Sequence, residues 1–277
     1  TLNIECIRFA RSLSLHPRDR MRCSMFPPTE CDLTTPPTLQ SFVVDMNTGV
    51  LNFTFSETVN ISSFMPLQIT LLAAAVIGFN NHNITKPGLV LSTENSPVLS
   101  FQLDPYDLAA VKNTISLYKF ISSSYIIFSS RMIHDMAGNY ILPLSYNNAS
   151  LTATYIYDAT SPNLLAFTLN KNTGQMILTF DEPVAPSLMK DAITLSNSAV
   201  NATRRYTLEP TNTIPVLTSL GTIVTFNLSA LDQVQLKAYE DFATHPNNTY
   251  LTATSVLVDD NSILLNPVSE TSPLMAN

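Results

Sequence analysis

Two stretches of this sequence match each other: Asn47-Thr48-Gly49-Val50-Leu51-Asn52-Phe53-Thr54-Phe55-Ser56-Glu57 and, 125 residues further on, Asn172-Thr173-Gly174-Gln175-Met176-Ile177-Leu178-Thr179-Phe180-Asp181-Glu182. In each copy, Asn-Thr-Gly supplies the left-handed backbone positions of a tight turn. The residues after the turn alternate between apolar and mostly polar side chains, which is the period of a β-strand. A repeat of this length is a whole domain, so the sequence predicts two tandem domains.

The rest of each repeat follows the same order. A strand precedes the turn, at residues 39–44 and at residues 164–169, so the turn closes a hairpin. More short strands follow, and their number relative to the helices predicts an all-β fold with two β-sandwiches. We place the two domains at residues 33–158 and 159–277, and residues 1–32 form an N-terminal extension or the tail of a preceding module.

Each repeat also contains one predicted short helix. Its start is marked by an N-cap residue whose side-chain oxygen accepts a hydrogen bond from the first turn, and by an aspartate three residues later. We interpret both aspartates as capping residues rather than catalysts. A lysine falls near the far end, where the helix dipole favours positive charge. The recurring residues are Asp104, Pro105, Asp107 and Lys112 in the first repeat, and Ser229, Asp232 and Lys237 in the second.

The junctions and the end of the chain carry further predictions. Prolines stiffen the linkers at residues 34–37 and 158–162, which should hold consecutive modules semi-rigidly. The last strand of the first repeat is predicted at residues 151–157, whereas the second repeat reaches only residues 274–277. We expect residues after Asn277 or another chain to complete that strand, because an unpaired sheet edge is a template for strand addition.

The charge distribution argues against one class of partner. Charged residues make up 13% of the chain, and its formal net charge is −7. Nucleic-acid binding needs clustered Lys and Arg, so we expect no nucleic-acid partner. The basic residues are concentrated at the start, where the segment is either solvated or an electrostatic dock for an acidic neighbouring module. These residues are Arg8, Arg11, Arg18, Arg20 and Arg22.

Seven Asn-x-Ser/Thr sequons indicate the secretory route and predict an extracellular or cell-surface glycoprotein. Asn52 and Asn227 stand at outward positions of predicted strands, which suits a surface sugar. The sequence has no apolar run of 18 residues, so we expect no membrane span in this chain. The sequons are Asn52, Asn60, Asn83, Asn148, Asn201, Asn227 and Asn247.

Three cysteines, Cys6, Cys23 and Cys31, all lie in the N-terminal segment, and their spacing matches no zinc or redox signature. We predict one disulfide between Cys23 and Cys31. Cys6 is then either unpaired or intermolecular.

The repeats resemble tandem bacterial-type immunoglobulin-like (Ig-like) domains, and they are similar to the Ig-like arrays of large surface proteins of algae and other protists. Some of those proteins build extracellular glycoprotein filaments such as flagellar mastigonemes. The resemblance covers about residues 33–277 and implies a spacer, adhesive or filament-building role with no catalytic residues. The second repeat departs from it, because its turn lacks Gly and its last strand is cut short. The residues that carry it are Phe53-Thr54-Phe55-Ser56-Glu57-Thr58-Val59 and Asp135-Met136-Ala137-Gly138-Asn139.

Side chains able to carry chemistry are few. Glu57 and Glu182 recur at equivalent strand ends but belong to different domains, whereas a retaining glycosidase needs two carboxyl groups about 5 Å apart. We expect these two carboxylates to bond backbone N–H groups, and we expect no enzymatic activity. The histidines lack metal-ligand spacing and are interpreted as surface residues. They are His16, His82, His134 and His245.

Calcium is the one cofactor with candidate ligands. Asp135 with Asp158, or Asp259 with Asp260, would supply loop oxygens to an interdomain ion, although the sequence has no EF-hand loop. Our first expectation is no cofactor, and calcium is the alternative.

The predicted function is structural: a module of an extracellular glycoprotein filament or surface coat, assembling through stacked Ig-like domains. Its expected partners are copies of itself or neighbouring Ig-like modules, together with N-linked glycans. The alternative is an adhesin-type spacer that recognises glycan or a protein partner, assisted by calcium.

Overall fold

A computed structural model of the chain describes residues 34–210, 215–218, 220–262 and 264–277. The N-terminal extension, the arginine-rich start, His16 and the proposed disulfide lie outside the described residues. The described chain forms two compact units. Unit 1 comprises the described residues up to Asp107 together with Ser116–Ile156, and unit 2 comprises Leu108–Ile115 together with Tyr157–Asn277.

Unit 1 is built from two β-sheets. One sheet has five strands in the order β5-β6-β2-β1-β9, and the other has four in the order β4-β3-β7-β8. The predicted hairpin is present, with Phe42 of β1 opposite Phe53 of β2. The strands are β1 Leu39–Asp45, β2 Val50–Val59, β3 Ile69–Leu72, β4 Asn81–Asn83, β5 Leu89–Val90, β6 Ser96–Gln102, β7 Tyr125–Phe128, β8 Ser150–Leu151 and β9 Thr154–Ile156.

The core of unit 1 follows from the alternation in β2. Leu51, Phe53 and Phe55 are at most 2% exposed, whereas the residues between them are partly exposed. The ring of Phe64 lies 6.2 Å from Phe53 and 5.2 Å from Phe101, between ring centroids. Burying each such aromatic side chain stabilises the fold by roughly 1.5–3 kcal/mol relative to leaving it exposed.

Unit 2 repeats this design. Its sheets have the orders β10-β11-β15-β14 and β13-β12-β16-β17, and residues from both form one hydrophobic cluster. The second Asn-Thr-Gly turn has Gly174 at φ +70°, as Gly49 has in the first. The strands are β10 Leu164–Asn170, β11 Gln175–Phe180, β12 Ile193–Ser196, β13 Arg205–Thr207, β14 Val216–Leu217, β15 Ile223–Asn227, β16 Tyr250–Ala253 and β17 Leu274–Met275.

Two α-helices stand where the sequence predicts them, α1 at Pro105–Asn113 and α2 at Ala230–Lys237. Asp104 Oδ1 accepts from Tyr106 N at 2.9 Å, and Ser229 Oγ accepts from Asp232 N at 3.0 Å, so both predicted N-caps are confirmed. The all-β fold is confirmed as well: each described unit contains two β-sheets, and the two α-helices are short. The last residues of α1 belong to unit 2, which the repeat pattern does not reveal.

The last predicted strand of the first repeat, residues 151–157, is wrong as a single element. It is two strands, because β8 pairs with β7 in one sheet while β9 pairs in parallel with β1 in the other. Thr152 makes the crossing: it is 2% exposed, and its hydroxyl donates to the carbonyls of Phe42 and Thr154. In unit 2, β17 corresponds to β8, and Asn277 N donates to Phe167 O as Ala153 N donates to Phe42 O.

Candidate functional site

Unit 2 gathers three carboxylates from separate parts of the sequence. Asp158 lies in the proline-containing linker, Glu182 follows β11 directly, and Asp260 lies in the turn after β16. One oxygen atom from each lies within 4.8 Å of the others. Asp158 and Asp260 are buried, and Glu182 is partly buried. Three carboxylates this close repel one another strongly unless a cation lies among them.

The cation is the ammonium group of Lys112, which the last turn of α1 brings into unit 2. Lys112 Nζ lies 2.8 Å from Asp158 Oδ2 and 2.5 Å from Glu182 Oε2. The Lys112 side chain is only 9% exposed. Helix spacing explains the position, because Lys112 stands three residues after buried Ala109 on the same face of α1. The helix dipole also favours a positive charge at this end of α1. The four side chains form the site that we call the Lys112 cluster: Lys112, Asp158, Glu182 and Asp260.

The excess of negative charge in the Lys112 cluster raises the pKa of both Lys112 and Glu182. Burial by itself lowers the pKa of Lys112, but the hydrogen bonds and charges of Asp158 and Glu182 outweigh it, and the net shift is upward. Burial raises the pKa of Glu182, Lys112 lowers it, and the charges of Asp158 and Asp260 raise it, again with a net upward shift. Both directions follow from one ammonium facing three carboxylates.

Asp260 has a second role, which it shares with Asp135. Asp135 accepts hydrogen bonds from the backbone of Ala137 and Asn139 and from the Asn139 amide at 2.7–2.8 Å. Asp260 accepts the corresponding set from the backbone of Ser262 and Asn266 and from the Asn266 amide at 2.8–3.0 Å. The hydrogen bonds to the aspartate are therefore kept although the second turn lacks Gly, since Asn266 takes the place of Asn139 two residues later.

The calcium candidates separate accordingly. The structure brings Asp158 and Asp260 together with Glu182, whereas Asp135 belongs to unit 1 and Asp259 is not a member of the cluster. Hard oxygen donors of this kind suit calcium, but the Lys112 ammonium already bonds two of the three carboxylates. The expectation that Glu182 bonds backbone N–H groups is wrong, because its Oε2 accepts from Lys112 Nζ.

The aspartates near the helix starts bond parts of the chain outside their own helices. Asp107 is fully buried, and its carboxylate accepts from the backbone of Thr85 and Lys86, from the Thr85 hydroxyl and from His82 Nε2 at 2.7–3.2 Å. Burial raises the pKa of Asp107, yet these bonds outweigh it and the net shift is downward. The capping role predicted for Asp107 is therefore replaced by anchoring of the loop after β4.

Asp232 combines both roles. Its Oδ2 accepts from Ser229 N at 2.9 Å, which completes a capping box, while its Oδ1 accepts from Tyr206 OH and Glu209 N at 2.9 Å. Burial and the Asp232 carboxylate raise the pKa of Tyr206 well above its ordinary value. The sequence pattern predicts the cap but not the bonds to Tyr206 and Glu209, because these depend on how the folded chain places the loop after β13 beside α2.

The predicted surface histidines have mixed environments. His82 is partly buried and bonds Asp107 at 2.8 Å, and His134 Nδ1 lies 2.7 Å from the carbonyl oxygen of Asp135. His245 is exposed. These three histidines lie in separate places and join no metal cluster among the described residues.

The sequons differ in accessibility. Asn227 at the end of β15 is exposed, whereas Asn52 in β2 is half-buried and accepts a hydrogen bond from the Ser100 hydroxyl at 2.5 Å. Asn60 is also half-buried and caps a short 3₁₀ turn through Ser62 N. The other sequons are exposed: Asn83, Asn148, Asn201 and Asn247.

The described residues therefore form tandem β-sandwich units, and the second unit holds a cluster of three carboxylates that is closed by the lysine of α1. No family model matches the chain, and no curated protein matches it. Among solved structures, the N-terminal part of the bacterial S-layer protein SbsC is 11% identical with a TM-score of 0.25, over 88% of this chain and 44% of that one. Domains A168–A170 of titin are 10% identical with a TM-score of 0.16, over 87% and 66%.

The chain thus spans less than half of the S-layer chain that it matches. TM-scores this low do not establish a shared topology. Separately, neither helix in the described ranges is long and apolar enough to cross a membrane.

Proposed function

We propose that this chain is a structural module of an extracellular glycoprotein filament or surface coat, in which Ig-like units are joined into a longer array. The observation that carries the proposal is the Lys112 cluster. Its cation is Lys112 of the chain's own helix α1, whose Nζ lies 2.5 and 2.8 Å from two carboxylates. The charges of the cluster therefore hold parts of the same chain together. We propose that this buried ion pair holds the residues that form it in one arrangement.

Two further features support this role. The unit is duplicated, and each copy opens with a linker that contains proline, at Pro36-Pro37 and at Pro162, so both junctions are stiff. Buried polar side-chain atoms in the described residues all have hydrogen-bond partners. Complete hydrogen bonding of buried polar groups stabilises a scaffold, whereas a catalytic site usually keeps a polar group available for a substrate.

The extracellular location is argued from the sequons. Five of the seven stand at exposed positions, where a glycan can be attached without disturbing the sheets. Glycopeptide mapping of material from the native source tests this. We expect glycan on Asn227 and Asn247 and a lower occupancy on half-buried Asn52. Unmodified asparagine at all seven sequons would contradict the extracellular assignment.

The filament itself is tested by electron microscopy of the native material. We expect linear or layered assemblies whose repeat is set by the length of the module. Single, unassociated particles over the whole accessible concentration range would contradict an assembly role.

A calcium-assisted adhesin is the weaker alternative. Among the candidate aspartates, the carboxylates of Asp135 and Asp260 accept hydrogen bonds from their own turns, and Lys112 already bonds the Asp158 carboxylate. A rise in the melting temperature on adding calcium to the unmodified protein, or retention on a glycan array, would favour this alternative over the structural role.

We propose no enzymatic activity for this chain. Glu182 is held by Lys112 in a structural ion pair, and its recurring counterpart Glu57 lies in the other unit. Turnover of any substrate that is lost in Glu57→Gln or Glu182→Gln would overturn this part of the proposal.

A further inference from the structure

The two units differ at one edge of the sheets that contain their hairpins. In unit 1, β9 covers the edge of β1 in parallel, with Tyr155 opposite Val44. In unit 2, β10 takes the place of β1 and is an edge strand among the described residues. Exposure follows this difference, because Val44 is 0% exposed whereas its counterpart Leu169 is partly exposed. A strand parallel to β10 would therefore cover Leu169 as β9 covers Val44.

The hydrogen bonds at the start of this edge are equivalent in the two units. Asn277 N donates to Phe167 O at 3.1 Å, as Ala153 N donates to Phe42 O at 2.8 Å. In unit 1, β9 begins one residue after Ala153. Residues 168–170 are the counterparts of the three residues with which β9 pairs, so the register of unit 1 shows where an added strand would lie on β10.

A pocket of about 100 Å³ lies beside this edge, and its lining includes Leu169 and Ala243. Ala243 is the counterpart of Tyr118, and both residues have left-handed backbone, at φ +54° and +51°. In unit 1, the hydroxyl of Tyr155 donates to Tyr118 O at 2.6 Å. The pocket is therefore lined by the counterparts of two residues that Tyr155 meets, Val44 and Tyr118. Because Ala243 has no ring, it also takes up less space than Tyr118.

The lining of this pocket suits a tyrosine side chain. It combines apolar groups with hydroxyl, imidazole and backbone groups, and a tyrosine has an apolar ring with a polar tip. The carbonyl of Ala243 corresponds to the one that accepts from Tyr155 in unit 1. The other lining residues are Thr244, His245, Pro246, Thr249, Ala276 and Asn277.

We infer that the edge of β10 and this pocket bind the extended segment that leads into a neighbouring Ig-like unit. The segment pairs in parallel with residues 168–170 and places a tyrosine ring in the pocket. Unit 1 identifies this occupant, because β9 ends at Ile156 and unit 2 resumes at Tyr157, so the strand that completes one sheet leads directly into the next unit. In strand addition of this kind, main-chain hydrogen bonds give the affinity and side-chain pockets give the specificity. We call the edge and the pocket together the β10 acceptor site.

This inference rests on the proposed function and names the segment that joins the units of the array. The test adds the full chain to a fluorescein-labelled peptide with the sequence of residues 153–158, Ala-Thr-Tyr-Ile-Tyr-Asp, and measures fluorescence anisotropy. We expect saturable binding of one peptide per chain. A photoreactive p-benzoylphenylalanine in place of Tyr155 should cross-link to a fragment that contains part of residues 243–249.

Variants of the peptide test the role of the tyrosine. Tyr155→Ser in the peptide should weaken binding at least about tenfold, because it removes the ring that the pocket would bury. Tyr157→Ser is the matched control: it makes the same change beyond the end of β9 and should leave the affinity nearly unchanged. Ile156→Pro should also weaken binding, since proline has no N–H to donate to the sheet.

Variants of the protein test the position of the site. Leu169→Lys places a charge at the pocket and should weaken peptide binding, whereas Leu165→Lys makes the same change at a 57% exposed position of β10 and should not. Thermal unfolding followed by circular dichroism shows whether both variants are folded. If Leu169→Lys does not fold, the peptide variants and the photo-cross-link decide the question on the unmodified chain.

The outcomes separate this inference from the proposed function. Native assemblies that carry glycan, together with a chain that binds no peptide or binds the Tyr155→Ser peptide equally well, would overturn the inference and leave the structural role intact. Binding that depends on Tyr155, by a protein whose native material shows only single particles, would support the β10 acceptor site and contradict the assembly role.

Discussion

Replacing Lys112 with methionine tests the central claim about unit 2. Methionine keeps much of the length and apolar stem of lysine but removes the charge. Asp158, Glu182 and Asp260 would then be left close together without a cation. The clustered carboxylates lie within 4.8 Å of one another, and Lys112 is bound at 2.5 and 2.8 Å.

The magnitude follows from these distances. An ammonium 2.8 Å from a carboxylate is attracted by about 6 kcal/mol at an effective dielectric constant of about 20. Most of this is offset in the native protein by the cost of desolvating the ions. When one partner of a buried pair is removed, the free energy of unfolding falls by about 3–5 kcal/mol, because the remaining charges stay buried. We expect the free energy of unfolding of unit 2 to fall by an amount in this range.

The assay is urea unfolding followed by far-UV circular dichroism, since the chain has no tryptophan. Two units need not unfold in one transition, so the transition that the variant moves is assigned to unit 2. Lys237→Met is the matched control: the same substitution at the equivalent but exposed position should cost less than about 1 kcal/mol.

The pH dependence provides a second readout. Glu182 has a raised pKa, so the folded state holds its proton more tightly than the unfolded state, and this group favours folding as the pH falls toward its ordinary value of 4.5. Without Lys112, nothing lowers that pKa, and the loss caused by Lys112→Met should shrink on acidification. A loss as small as that of Lys237→Met, or one that grows on acidification, would refute the structural role of the cluster.

Three further predictions concern the same units. Millimolar calcium should raise the melting temperature of Lys112→Met but leave that of the unmodified protein unchanged, because only in the variant do Asp158, Glu182 and Asp260 lack the Lys112 cation; equal effects on both would contradict this. Asp107→Asn should cost about 1–3 kcal/mol, since it disturbs a carboxylate with several donors, whereas Asp104→Asn exchanges one good N-cap for another and should cost little. Because the pKa of Asp107 is lowered, the stability that its carboxylate contributes is present above the ordinary value of 3.8 and is lost as the pH falls through the folded-state pKa. Urea unfolding should therefore show the stabilities of the unmodified protein and Asp107→Asn converging in acid. Gly174→Ala places a side chain at φ +70°, where an L-residue costs about 1–2 kcal/mol, and its Cβ would lie 2.5 Å from the Gln233 side chain; thermal unfolding should show Gly174→Asn to be milder, and equal losses would argue against backbone strain.

The sequence predicts what depends on local pattern. The alternation of Leu51, Phe53 and Phe55 gives the buried face of β2, and the Asn-Thr-Gly turns give the hairpins, because both signals act over a few residues. The N-caps at Asp104 and Ser229 are predicted for the same reason. The duplication adds the tandem architecture, since it repeats most of the local signals in the same order.

The sequence does not predict which distant side chains form hydrogen bonds and ion pairs with each other. Lys112 is assigned to the favourable end of a helix dipole, but its carboxylates lie in segments that only the folded chain brings together. Asp107 has the spacing of a capping residue, yet its carboxylate bonds the loop after β4. The break in the strand predicted at residues 151–157 depends on a change of sheet at Thr152, which alternation alone cannot register.

Unit 2 also has a consequence for the order in which the protein folds. It is not a continuous stretch of chain, because Leu108–Ile115 belong to it and Ser116–Ile156 do not. Asn113 bonds Asn261 across 148 residues of sequence, and contacts so distant form late, after the entropy of closing a long loop has been overcome. On a ribosome, the helix that carries Lys112 is made long before Asp260. Unit 2 can therefore complete its folding only around Leu108–Ile115, a segment that is synthesised with the first repeat.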